Sequence, residues 1–309
     1  MVFFWSLIFA TTLIGLVKSA DFLVDNSKTI GRFFRLPEFI VGVLVVGVGT
    51  SLPELSSSVF AVLQGVPEMV VANAVGSNIA NMLLIVGFTA ILAKNMTVSK
   101  ELINLDIPLL LLSTALFLAV AVDGNVSRGD AVFLLAGLLY YITYSIASKS
   151  EREKDEHVSK YEFYKSCALF VVSLLVLIIS AKYLIMSVVH LGKIFSITPA
   201  VLTLFAVAIG TSLPELFVSV SAVKKGKADM ALGNIFGSNA FNLLAVVGIP
   251  AAFTSLPIDI ASLTVAFPLL ALSTELFAVS GISRKIHSFE GVFFLIIYAY
   301  FVAKVLFGI

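Results

Sequence analysis

The stretch GTSLPEL, residues Gly49 to Leu55, is written a second time at Gly210 to Leu216, and how it is read decides the fold. Each copy sets a Glu, at 54 and 215, inside an apolar run long enough to cross a bilayer. A charged side chain at that depth costs at least ~2.5 to 3.5 kcal/mol on insertion scales, so it marks a site unless something else accounts for it. Two such residues in matching contexts make the case far stronger than one.

Outward from these motifs the chain is apolar almost throughout. Hydrophobic residues make up 59% of its 309 residues and charged ones 13%, against roughly 25% charged in a soluble domain; mean hydropathy is +1.06. This composition belongs to a polytopic membrane protein. A net charge of +1 gives no footing for nucleic acid, and the single cysteine, Cys167, excludes an internal disulfide. The opening MVFFWSLIFATTLIGLVKSA has its first positive charge, Lys18, after the apolar run, which fits a retained first helix and not a signal peptide.

Runs of the length that ~30 Å of hydrocarbon demands fall near 2–18, 38–63, 69–93, 105–122, 130–147, 163–181, 199–223, 229–253, 260–279 and 288–307. The first and sixth are expected to extend through the amphipathic stretches 19–34 and 182–195. One segment is strongly hydrophilic, KSEREKDEHVSKYE at Lys149 to Glu162. It divides the chain into a first repeat (1–148), a charged linker (149–162) and a second repeat (163–309). A shift of 161 residues superimposes 40–87 on 201–248 without a gap, with 22 of 48 positions identical. Five spans per half is an odd number, so the second copy enters the membrane from the opposite side. The expected fold is therefore all-α, with ten transmembrane helices in two inverted five-helix repeats and with helices 2 and 7 broken. Of the 20 Lys and Arg, all but Arg128, Lys182, Lys193 and Lys304 fall on one set of loops. That places both termini outside and the linker in the cytoplasm.

Pro53 and Pro214 lack an N–H, and each ring clashes with the carbonyl four residues back, so each helix should break and free backbone oxygens, that of Gly49 first. Such backbone is tolerated at membrane depth only where it lines a cavity or is buried in protein. At helical spacing Gly47, Thr50 and Glu54 share a face, as do Ala208, Thr211 and Glu215. The following helices add the stripes Asn73, Ser77, Asn81 and Asn234, Ser238, Asn242. The donor set is oxygen, without Cys or His, which suits a hard cation. Two carboxylates balance one divalent ion or two monovalent ones. A lone Pro is commonly a packing kink, and a lone Ser, Thr or Asn commonly interhelical glue; duplication of the whole set argues against that reading here.

At GTSLPE…GSNIAN (49–81) and GTSLPE…GSNAFN (210–242) the chain resembles the cation/Ca²⁺ exchanger superfamily, and within it the sodium/calcium exchangers of prokaryotic type. The resemblance covers all ten expected spans. It implies that Glu54 and Glu215 hold Ca²⁺ with the carbonyls of Thr50 and Thr211. It also implies Na⁺ ligands among Gly47, Thr50, Ser51, Ser77 and Asn81, and among Ala208, Thr211, Ser212, Ser238 and Asn242. Potassium-dependent members carry Asp where Asn242 stands, so Asn there argues against K⁺ dependence. Proton/calcium members have a different second motif, and the short linker has no room for cytosolic Ca²⁺-sensing domains.

The expected function is secondary active exchange of Ca²⁺ for Na⁺ by alternating access, with Ca²⁺ efflux driven by inward Na⁺. The chain is then a multi-pass plasma-membrane antiporter and not an enzyme. It has no cofactor beyond its transported ions and no obligate protein partner, a monomer sufficing. The rival is Ca²⁺ exchange coupled to H⁺ or K⁺ on the same residues; a cation channel comes next.

Overall fold

The computed structural model describes residues 1–97, 106–147, 158–195, 210–260 and 262–307. Among these, ten helical elements follow one another: α1 Val2–Phe33, α2 Glu38–Leu63, α3 Glu68–Leu92, α4 Ile107–Ala121, α5 Arg128–Ala147, α6 Lys160–Ile194, α7 Leu213–Lys224, α8 Ala228–Phe253, α9 Ser262–Ile282 and α10 Ser288–Phe307. Eight are long and apolar enough to cross a membrane, while α4 is apolar but shorter. The stretch 196–209, expected to begin the seventh span, lies outside the described residues.

α1 and α6 are much longer than their apolar runs, because each continues through its amphipathic stretch. They lie antiparallel, with Trp5 stacked on His190 at 3.9 Å near one end and Phe33 on Phe163 at 4.0 Å near the other. The linker boundary needs one correction. Ser159 and Glu162 form a capping box, in which Ser159 Oγ accepts from the Glu162 N–H and the Glu162 carboxylate accepts from the Ser159 N–H. This reciprocal pairing satisfies donors that open a helix, so 160–162 belong to α6. Residues 149–157 lie outside the described set.

Two short antiparallel ladders tie the halves of the chain together. β1 (Asn95–Thr97) pairs with β4 (Lys285–His287), and β2 (Asn125–Val126) with β3 (Leu256–Pro257). The 161-residue shift carries β1 onto β3 and β2 onto β4, so each ladder joins one strand from each half.

The two halves also interlock at the centre. α8 is the most buried span and crosses the first part of α2 at backbone contact. A Cβ added at Gly47 would lie 2.9 Å from the Ser238 nitrogen, and one at Gly237 would run into the Val43 backbone. Small residues at such crossings let helices approach where lipid offers no hydrophobic drive for association. Phe236 continues this core, edge-on to Phe39 and to Phe277. Together these contacts hold α2 and α8 in a fixed register, which brings the two GTSLPEL copies to one place.

Candidate cation site

A bend forms in each copy where the motif places it. In α2 a π-helical turn over Gly42–Gly47 leads into a bend at Ser51, with φ −87° and ψ 2°, and the helix resumes at Leu52 with Pro53 in its first turn. The second copy repeats the bend at Ser212, with φ −88° and ψ 5°, and α7 begins with Pro214 in its first turn. π turns are costly and occur mostly at functional positions. The Gly49 carbonyl, expected to be free, is not: a backbone N–H of the tightened turn donates to it. The bend shortens the hydrogen-bond span from four residues to three, and that satisfies the oxygen proline would have orphaned.

The oxygen that faces the partner half is instead that of Gly47. It lies 3.3 Å from Thr50 Oγ1 and, across the repeat boundary, accepts from Ser238 Oγ at 3.2 Å. Thr50 Oγ1 also lies 3.3 Å from Ser238 Oγ and donates to Asn234 Oδ1 at 3.1 Å. The equivalent pair in the other direction is Ser77 with Thr211, whose hydroxyls are 3.0 Å apart. Each half thus supplies the hydroxyl that its partner's broken helix needs.

Glu54 and Glu215 both sit in the first turn of a resumed helix and are fully buried. The dipole there favours a carboxylate, but little else does. Among the described residues neither Glu54 oxygen nor Glu215 Oε2 has a hydrogen-bond partner in good geometry, and Glu215 Oε1 accepts from Ser51 Oγ at 3.5 Å. Asn81 Oδ1 and both side-chain polar atoms of Asn242 are likewise buried without partners. Buried polar groups are rarely left so, and buried charge is normally paired or bound to a metal. A set of buried oxygens from carboxylates and amides is what a hard cation takes.

Of the twelve residues expected at the site, Gly47, Thr50, Ser51, Ser77, Thr211, Glu215 and Ser238 take part in these contacts, and Glu54 is fully buried in α2 without one. Asn81, Ser212 and Asn242 are buried on the same elements, and Ala208 lies outside the described residues. Asn73 and Asn234 differ from expectation. Instead of walling the pocket, they brace the broken helices: Asn73 Nδ2 donates to the Glu54 carbonyl at 3.5 Å and to Ser58 Oγ at 3.3 Å, and Asn234 Nδ2 to the Glu215 carbonyl at 3.3 Å and Ser219 Oγ at 2.9 Å. Ser58 and Ser219 are identical positions of the repeat, a signal that sequence reasoning passed over. So are Asn78 and Asn239, which join α3 to α8 through Asn78 Nδ2 and the Asn239 carbonyl at 3.0 Å.

These features describe a multi-pass membrane protein with a buried, oxygen-lined candidate cation site between its two halves, and the family it matches makes it a transporter and not an enzyme. The chain belongs to the sodium/calcium exchanger protein family, which matches residues 4–147 and 165–307. It is 34% identical over 283 residues to the inner membrane protein YrbG of Escherichia coli, covering 87% of each chain. It is 32% identical to the sodium/calcium exchanger MaX1 of Methanosarcina acetivorans, covering 96% of each. Among solved structures, the sodium-calcium exchanger NCX_Mj soaked with Na⁺ and no Ca²⁺ superposes with a TM-score of 0.87 at 29% identity, covering 99% of this chain and 100% of that one.

Proposed function

We propose that this chain is a secondary active antiporter that exchanges Ca²⁺ for Na⁺ by alternating access, and that it expels Ca²⁺ from the cell at the expense of an inward Na⁺ gradient. The observation that carries the reading is the pair Glu54 and Glu215, fully buried, with three carboxylate oxygens that lack a hydrogen-bond partner in good geometry among the described residues.

Ten crossings in two inverted five-helix repeats, divided by the linker, give the architecture such exchange needs. The two β ladders support that count: pairing β1 with β4 and β2 with β3 requires loops 3 and 9 to share one side and loops 4 and 8 the other. The basic residues of the odd-numbered loops put that side in the cytoplasm and both termini outside the plasma membrane. A single chain contains both halves of the site, so a monomer suffices.

In the mechanism, Ca²⁺ binds between Glu54 and Glu215 with the carbonyls of Thr50 and Thr211. Na⁺ ions use the same carboxylates together with the Gly47 carbonyl, Ser51, Ser77, Asn81, Ser212, Ser238, Asn242 and the Ala208 carbonyl. The ions compete because the charge is shared. An empty site would carry two uncompensated carboxylates through a low-dielectric interior, at several kcal/mol each, so only loaded states reorient and one gradient drives the other. Asn at both 81 and 242 leaves the pocket without a third carboxylate, which favours Na⁺ over K⁺ coupling.

The test is ⁴⁵Ca²⁺ uptake into proteoliposomes loaded with Na⁺, K⁺ or acid. Uptake should follow an outward Na⁺ gradient. Uptake that follows only the pH or K⁺ gradient refutes the coupling, and uptake with no trans ion at all points to a channel.

A further inference from the structure

The halves match at the cation site but not where α1 meets the second repeat. Lys225 Nζ lies 2.7 Å from Asp25 Oδ2 and 4.0 Å from Asp21 Oδ1, and it donates to the Asp21 backbone carbonyl at 2.7 Å. Lys227 reaches Asp25 Oδ1 at 3.5 Å, and Ser221 Oγ donates to Asp21 Oδ1 at 2.5 Å. Nearby, Lys28 pairs with Glu38 at 2.8 Å and ties the same stretch of α1 to the start of α2. Burial pulls the Lys227 ammonium below its ordinary pKa, and Asp25 opposes that shift. Lys227 is thus partly desolvated while Asp25 stays open to solvent, so the cluster acts through several surface ion pairs.

The repeat gives an internal control. Subtracting or adding 161 carries Asp21, Asp25, Ser221, Lys225 and Lys227 onto Lys182, Met186, Phe60, Gln64 and Val66. No acid survives among them, so these counterparts form no equivalent pairing. Exposure follows the same asymmetry. Leu213 and Ser221 of α7 are 7% and 4% exposed, and Ala222 packs in one cluster with Leu16, Ala20 and Leu23 of α1; their counterparts Leu52 and Phe60 in α2 are 39% and 61% exposed. α7 is covered by α1, whereas α2 is open at the corresponding place.

Two nearly identical ion-binding motifs cannot by themselves choose between conformations that exchange the roles of the repeats. The choice must come from where the repeats differ, and a contact made in one state alone shifts the population toward it. We propose that Asp21, Asp25, Ser221, Lys225 and Lys227 form a one-sided ionic latch that holds α1 over α7, keeping the α7 side of the cation site closed and the α2 side open at rest. The latch rests on the alternating-access reading. α1, only 28% buried across its apolar window, is the peripheral piece that such a latch can release.

The test reads conformation without transport. Full-length protein carrying Cys167→Ser and Ala222→Cys is labelled in detergent with a polar maleimide, which reaches position 222 only when α1 lifts. Lys225→Gln should raise the labelling rate about fivefold, the equilibrium shift of a ~1 kcal/mol exposed-pair interaction. Asp25→Asn should do the same, and the double variant should fall clearly short of the sum of the two, since both remove the shared Lys225–Asp25 contact. If Lys225→Gln does not fold, a mirror latch replaces it. Gln64→Lys with Met186→Asp installs the pair on the opposite side and should raise labelling at 222 by favouring the reverse state. Flat labelling in the folded variants, or fully additive single effects, overturns the latch. Labelling that shifts as expected in a protein with no Na⁺-driven Ca²⁺ flux refutes the exchange reading and leaves the latch standing.

Discussion

Replacing Glu54 by Gln keeps the shape of the site and removes one of its two charges. The side chain is fully buried and neither carboxylate oxygen has a hydrogen-bond partner in good geometry among the described residues, so little local hydrogen bonding is lost. What is lost is half the counter-charge for a divalent ion. Removing one member of a buried charge pair costs ~3 to 5 kcal/mol because the remaining charge is left uncompensated; at ~1.4 kcal/mol per decade this weakens Ca²⁺ binding by roughly 100-fold to several thousand-fold. The protein without ions should respond with the opposite sign, since one fewer carboxylate is held away from water and from its like-charged neighbour. Two measurements on one purified variant separate these effects. Calorimetric titration with Ca²⁺ should give no detectable heat at concentrations that saturate the parent, and the thermal midpoint without ions should rise while its Ca²⁺-induced increase disappears. Ca²⁺ affinity within tenfold of the parent, or a fall in ion-free stability, would show that Glu54 is not a ligand but a structural group satisfied in some other way.

Three further outcomes follow from particular contacts. Asn234→Ala removes a fully buried amide that accepts from Thr50 and donates to Glu215 and Ser219; unfolding monitored by denaturant should show a loss of ~1 to 3 kcal/mol, with Asn73→Ala, whose side chain is half-exposed, costing less. Gly237→Ala drives a methyl into the Val43 backbone and has no flexible side chain to displace, so it should cost ~1 to 3 kcal/mol or more and reduce the yield of folded monomer on size-exclusion chromatography. Thr50→Val deletes a hydroxyl shared by Gly47, Asn234 and Ser238; Na⁺ affinity measured by competition against ⁴⁵Ca²⁺ should fall more than Ca²⁺ affinity itself, because the proposed Ca²⁺ contact at this residue is its carbonyl.

Much of the molecule was legible before any coordinates. Hydropathy located α2 to α5 and α8 to α10 within a few residues, because the length of an apolar run is set by the bilayer and needs no tertiary contact. The break in α2 was legible too, since proline's missing N–H is a local property. The fate of the released carbonyl was not: Gly49 finds a donor in the tightened turn, and which oxygen then faces the partner half depends on the bend angle at Ser51. The extension of α1 to Phe33 and of α6 to Ile194 was half visible, as an amphipathic stretch reads equally as helix or interfacial loop until a neighbour covers one face.

By itself, then, the sequence determined the chemistry of the site: its charge, its oxygen donors and its duplication are properties of residue identity and spacing. Only the tertiary structure decided how the copies meet. It turned Asn73 and Asn234 from pocket wall into braces, paired Thr50 with Ser238 and Ser77 with Thr211 across the halves, and set Asp21 and Asp25 against Lys225 and Lys227. Those partners stand 134 to 204 residues apart in the chain. A repeat in the sequence fixes that two motifs are alike, whereas the backbone approach of α2 and α8 through their glycines fixes which atoms they present to each other.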